Sequence, residues 1–159
     1  LRAHYRSPLN YSDAHLDDAK IALQRLYVSL RGMEINHMEV DWNHPLAGKF
    51  KESMDDDFNT PEAISVLFEL ANEINKNKSV PLANLLKSLA KTIGLLERDP
   101  EAFLKGDTKT SLDIDALISQ RHEAKAGKNF KEADRIRSLL LENGVVLEDT
   151  PQGTIWRKE

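Results

Sequence analysis

The sequence predicts a mainly α protein, an antiparallel helical bundle followed by a small α+β domain of two helices and a C-terminal β-hairpin. Three observations predict it. Apolar residues recur at helical spacing through most of the first hundred residues. A polar, Gly-containing stretch from Lys105 to Ser111 interrupts the pattern. Beyond it the helical period returns twice, then gives way to two short β-branched runs separated by turn residues. The chain has 159 residues, 40% hydrophobic and 30% charged, enough for one ordinary globular domain or two small ones.

Each element follows from local signals. Pro8 and Asn10 mark a turn, and Ser12 or Asp13 can N-cap the helix after it. Leu16, Ala19, Leu23, Leu26, Tyr27 and Leu30 give that helix one apolar face, and Gly32 is placed to end it. Residues 33–44 read as a loop. His44-Pro45 marks a restart, with a short helix from Leu46 to Met54. Asp55-Asp56-Asp57-Phe58-Asn59 breaks the pattern. Thr60-Pro61-Glu62 then starts a helix, with Thr60 as N-cap and Pro61 at the first helical position. Its stripe is Ile64, Leu67, Phe68, Ala71 and Ile74. A fourth helix is expected from about Val80 to Leu96, facing inward through Leu82, Leu85, Leu86, Leu89, Ile93 and Leu96. One-sided helices joined by short loops bury their stripes by packing antiparallel.

Residues 105–111 read as a linker. Ile114, Leu117 and Ile118 begin a further helix that ends near Gly127, and Asn129 can cap the next, from Phe130 to about Glu142. Asn143-Gly144 stops it. Val145-Val146-Leu147 and Thr154-Ile155-Trp156 are expected to pair as a hairpin about the turn residues Asp149 to Gly153.

Composition removes several kinds of chemistry. The chain has no Cys, which excludes disulfides, thiolate nucleophiles and Cys-ligated zinc and fits a cytoplasmic protein. No apolar run approaches the ~18 residues of a membrane span, and the first six residues lack the apolar stretch of a signal peptide, so no membrane partner is expected. Opening on Leu1 rather than Met is expected of a fragment or processed product. The sequence contains no G-x-S-x-G, no P-loop and no G-x-G-x-x-G. No catalytic residue is therefore assigned. Asp55, Asp56 and Asp57 are hard ligands for a divalent cation, but consecutive carboxylates do not converge on one point. They read instead as turn and helix-dipole residues. His37 and His44, in one loop with Glu39 and Asp41, leave adventitious zinc binding open beside the plainer reading of solvated or packed side chains. No metal site is assigned.

The net charge is -4, so any nucleic-acid binding has to come from a local basic surface. One exists. Between Arg121 and Arg137 stand Arg121, Lys125, Lys128, Lys131, Arg135 and Arg137, against Glu123, Glu132 and Asp134. Phe130 lies among them, beside the turn Gly127-Lys128-Asn129. An exposed ring can stack on a base, and a carboxylate set among cations can accept from a base amino group. The same stretch also reads as a solvated helix with i,i+4 charge pairs and a core Phe.

Three blocks resemble bacterial cysteinyl-tRNA synthetases in order and spacing. They are His4-Tyr5-Arg6-Ser7-Pro8-Leu9-Asn10-Tyr11; Met54-Asp55-Asp56-Asp57-Phe58-Asn59-Thr60-Pro61-Glu62-Ala63; and Phe130-Lys131-Glu132-Ala133-Asp134 with Arg135, Arg137, Gly144, Leu147, Glu148-Asp149 and Gln152-Gly153-Thr154-Ile155-Trp156. The resemblance implies the C-terminal, tRNA-binding part of such an enzyme. Residues 1–10 would end the stem-contact region, 11–104 would form the bundle that contacts the anticodon stem, and 112–159 would be the small domain that reads the GCA anticodon. Arg121, Lys125, Lys128, Phe130, Lys131, Asp134 and Arg137 are the residues assigned to tRNA. Phe130 would be the stacking aromatic, where the family often has Trp, and Lys125 stands where it often has Arg. Phe lacks the indole N–H, and Lys lacks the bidentate fork. Trp156 would pack in the hairpin.

The partners implied are cysteine tRNA and the catalytic domain of the same chain, in a monomer. ATP and zinc are implied for that catalytic domain and no cofactor for these residues, which should be inactive by themselves. The competing reading is a helical protein–protein interaction scaffold without RNA specificity.

Overall fold

The computed structural model describes residues 3–8, 12–36, 38–106 and 113–158. The chain divides into two units, residues 1–103 and 104–159. Most of the expected linker lies outside the described residues. Among the described residues no helix is long and apolar enough to cross a membrane.

The first unit is built on four helices: α1 (Asp13–Leu30), α2 (Pro45–Asp55), α3 (Thr60–Asn77) and α4 (Val80–Thr92). A short α5 (Pro100–Lys105) follows. α3 is the centre, packed against α1, α2 and α4. Its buried face is Ala63, Val66, Leu67, Leu70, Ala71 and Ile74. Leu26 and Leu30 of α1, Phe50 of α2, and Leu86 and Leu89 of α4 share the same core. Burying side chains of this size stabilises by about 1.5–3 kcal/mol each.

The caps locate the ends. Ser12 starts α1, its hydroxyl accepting from the His15 N–H at 3.2 Å. α2 starts at His44, whose Nδ1 accepts from the Leu46 N–H, with Pro45 at the first position. For α3 the cap is one residue earlier than expected. Asn59 Oδ1 accepts from the Glu62 N–H at 3.3 Å, and Asn59 Nδ2 donates to the Glu62 carboxylate at 3.1 Å. Thr60 is therefore the first helical residue. Asp57 and Phe58, both in the left-handed region (φ +52° and +53°), turn the chain so that Asn59 meets the first turn.

Two expectations about length change. α4 stops at Thr92 rather than Leu96, because Gly94 (φ +72°) and Leu96 (φ +58°) leave helical geometry, although Leu96 is still buried. In α1 only the second half of the apolar face is covered. Leu16 is 57% exposed. α5 carried no period long enough to find in sequence. Asp99 Oδ1 accepts from the Ala102 N–H at its start. Phe103 stacks on Tyr27 at 3.9 Å between ring centroids. The loop before α2 is tied to α4 by Asn84, whose buried side-chain oxygen accepts from the Asn36 N–H at 2.9 Å.

The second unit contains α6 (Ile114–Ala126), α7 (Phe130–Glu142), β1 (Val145–Thr150) and β2 (Gly153–Lys158). α6 packs on α7, α7 on β1, and the strands pair antiparallel with Leu147 opposite Trp156 and Thr150 opposite Gly153. The hairpin is longer than the two apolar runs suggested, leaving only Pro151 and Gln152 as the connection. Ile114, Ile136, Leu140, Val145 and Trp156 make the core, with Leu117, Ile118 and Leu147 packed against it.

Candidate nucleic-acid interface

The site grows out of the α6–α7 turn. The Gly127 N–H donates to the Glu123 carbonyl at 2.9 Å and the Asn129 N–H to the Ala124 carbonyl at 2.8 Å, which closes α6. Lys128 between them is left-handed, with φ +58°. Asn129 then caps α7 by accepting from the Glu132 N–H at 3.3 Å. This places Phe130 at the first position of α7, and the helical period does the rest. Ala133, Ile136 and Leu140 face the core. Phe130, Asp134, Arg137 and Leu141, at i, i+4, i+7 and i+11, form an adjacent stripe that is exposed. The Phe130 ring is 62% exposed, not a core residue.

The polar groups sort into three sets. Lys128, Lys131, Asp134 and Arg137 are exposed, and their side chains make no hydrogen bond or ion pair among the described residues. Their donors and acceptors are therefore available. Arg135 is committed to Glu132 through two bonds of 2.8 and 2.6 Å, and that guanidinium holds the Glu132 carboxyl below its ordinary range.

The third set centres on Asp149 of β1. Arg121 grips its carboxylate with both terminal nitrogens, at 2.9 and 3.0 Å. The Thr154 hydroxyl donates to it at 2.7 Å, and Lys125 Nζ reaches it at 2.8 Å. The Arg121 bonds first, then those of Lys125 and Thr154, drive Asp149 far below the usual carboxylate range. Arg121 is only 5% exposed. The basic stretch assigned in sequence thus divides in space. Phe130, Lys128, Lys131, Asp134 and Arg137 share the outer surface of the turn and α7. Lys125 is half-exposed on Asp149, and Arg121 lies inside.

Asp149 was quoted in the third sequence block but not assigned to the site. Strand alternation carried the signal: Asp149 shares parity with Val145 and Leu147, so it points to the helix-covered side of the hairpin.

In the first unit, the first two blocks meet at Asp57. Its side chain accepts from Tyr5 Oη at 2.7 Å and pairs with Arg6 at 3.0 Å, while His4 Nε2 lies 3.0 Å from its carbonyl oxygen. The Asp57 hydrogen bond raises the Tyr5 phenol above its ordinary pKa. Asp57 thus serves as a junction residue. Among the described residues no group of three His, Cys, Asp or Glu side chains could hold a metal ion, and His37 lies outside them.

Residues 49–97 match the DALR domain, and residues 107–157 match the cysteinyl-tRNA ligase anticodon binding domain. Among curated proteins, the chain is 58% identical to the cysteine–tRNA ligase of Methylobacillus flagellatus, over 99% of this chain and 35% of that protein. It is 54% identical to the ligase of Aromatoleum aromaticum (99% and 36%) and 56% identical to that of Delftia acidovorans (98% and 34%). The chain spans about a third of the length of these relatives. Two family domains in the order the fold displays them, with identity above half along nearly the whole chain, make this protein a member of the cysteinyl-tRNA ligase family over its DALR and anticodon-binding domains.

Proposed function

We propose that this chain recognises tRNA, and that its second unit reads the anticodon of cysteine tRNA for a cysteine–tRNA ligase. The observation that carries the reading is the exposed Phe130, fixed at the start of α7 in line with Asp134 and Arg137, whose side chains make no hydrogen bond or ion pair among the described residues. An unstacked base can lie on the ring. Asp134 accepts from base N–H groups, Arg137 donates through a planar fork, and Lys128 and Lys131 take phosphates. The match of residues 107–157 to the anticodon binding domain supports it.

The same reading gives the helical unit the anticodon stem as its partner. It assigns ligation of cysteine, with the ATP and zinc that the family uses, to the parts of the relatives this chain does not match. The enzyme would act as a cytoplasmic monomer, and this chain alone should show no cysteine-dependent ATP–pyrophosphate exchange. The test is binding of the full chain to cysteine tRNA and to the same tRNA with a changed anticodon, at one moderate salt concentration. Preference for the native anticodon supports the reading. Equal binding to both reduces the site to a general RNA surface, and absence of binding removes it.

A further inference from the structure

Three charged side chains in the second unit make one connected cluster: Arg121 inside, Asp149 between, Lys125 outside. Arg121 has no surface to offer a nucleotide, yet its charge is not spent on structure alone. Asp149 carries one negative charge and holds two cations, through bonds of 2.9 and 3.0 Å to Arg121 and 2.8 Å to Lys125. The cluster of three therefore keeps a net positive charge, and the part of it that reaches solvent is the half-exposed Lys125–Asp149 pair, with Arg121 behind it. Without Arg121, Lys125 and Asp149 would be a self-neutralised pair. Asp134 also acts on Arg121 through space, but it does not bond to it.

We propose that Arg121 is a positioning residue for RNA binding. It neutralises Asp149 from the interior, which anchors the Lys125 ammonium at the surface while leaving its charge free for a phosphate. This rests on the RNA-binding reading above. Thr154, donating to the same carboxylate oxygen that Arg121 Nη1 grips, fixes the carboxylate plane. A surface Lys held by one carboxylate alone would attract a polyanion weakly. One backed by a buried guanidinium attracts it at nearly full charge.

The test is the salt dependence of binding, measured on cysteine tRNA and on the anticodon-changed tRNA. Each phosphate neutralised contributes about 0.7–1 to the slope of log K against log salt. K125M should lower the slope by about that amount and weaken binding several-fold. R121M and R121Q should do the same although position 121 does not reach the surface, and R121M/K125M should lower the slope no further than K125M alone, because Lys125 is the only one of the two that meets a phosphate. R121K, which restores the charge, should restore the slope. R121Q keeps a donor to Asp149 and serves if R121M melts below the assay temperature. A slope unchanged in both neutral variants, or a slope that falls in the double variant by twice the single amount, would overturn the proposal and leave Arg121 a strut. Equal binding of the two tRNAs by the parent chain would remove anticodon reading alone, since the slope effect is read on either RNA. No binding to either would overturn both.

Discussion

At the scale of single residues, exposure separates the side chains proposed to meet RNA from those proposed to arrange them. Phe130 stands in solvent where an apolar ring gains nothing from the protein. On the proposed reading, F130A should lose about 1–3 kcal/mol of tRNA binding while leaving thermal stability nearly unchanged, a pairing that fluorescence titration and a melting curve can check. Asp149 gives the opposite signature. Its folded pKa lies below the unfolded one, so its contribution to stability is fully present above the unfolded value, near ~4, and is lost as pH falls through the folded value. D149N should melt below the parent chain at pH 7, and the gap should narrow as pH drops below about 4. The two residues also differ in how far sequence reveals them. Phe130 beside a Gly-Lys-Asn turn was legible as a candidate. The burial of Arg121 was not, because one Arg among six cations looks like the others until the hairpin supplies a carboxylate on its inner face.

Among the elements, helix starts were easier to read than helix ends. Asn129 and Asp113 cap as the residue type demands, and Asn129 also sets the angle at which Phe130 leaves the turn. N129A should therefore cost about 1 kcal/mol of stability in the second unit, read by chemical denaturation, and should weaken tRNA binding as well. Thr60 shows the limit. Ser, Thr, Asn and Asp all cap well, and Asn59-Thr60 offers two candidates. The choice fell to the left-handed pair Asp57-Phe58, a backbone conformation that neither residue type announces. Leu96 shows it from the other end. Its apolar spacing continued the α4 stripe and it is buried as expected, but it reaches the core from a non-helical backbone. Periodicity reported which side chains go inside, not the dihedral angles that take them there.

For the molecule as a whole, the two units have separate cores, so damage to one should be contained. I136A, at a fully buried position, should cost about 2–5 kcal/mol. For a unit of this size that is most of its stability. Amide exchange should then show residues 113–158 losing protection while α3 and α4 keep theirs. The same division has a consequence in time. The second unit is assembled from neighbours in sequence, and its bonds to Arg121 span 28 and 33 residues. The first must close Tyr5 onto Asp57 across 52 residues and Arg31 onto Glu101 across 70. Short closures form sooner. The chain has two tryptophans, Trp42 in the first unit and Trp156 in the core of the second. In refolding, a W42F variant should therefore report an earlier fluorescence change than a W156F variant. The second unit would then be in place while the bundle is still closing.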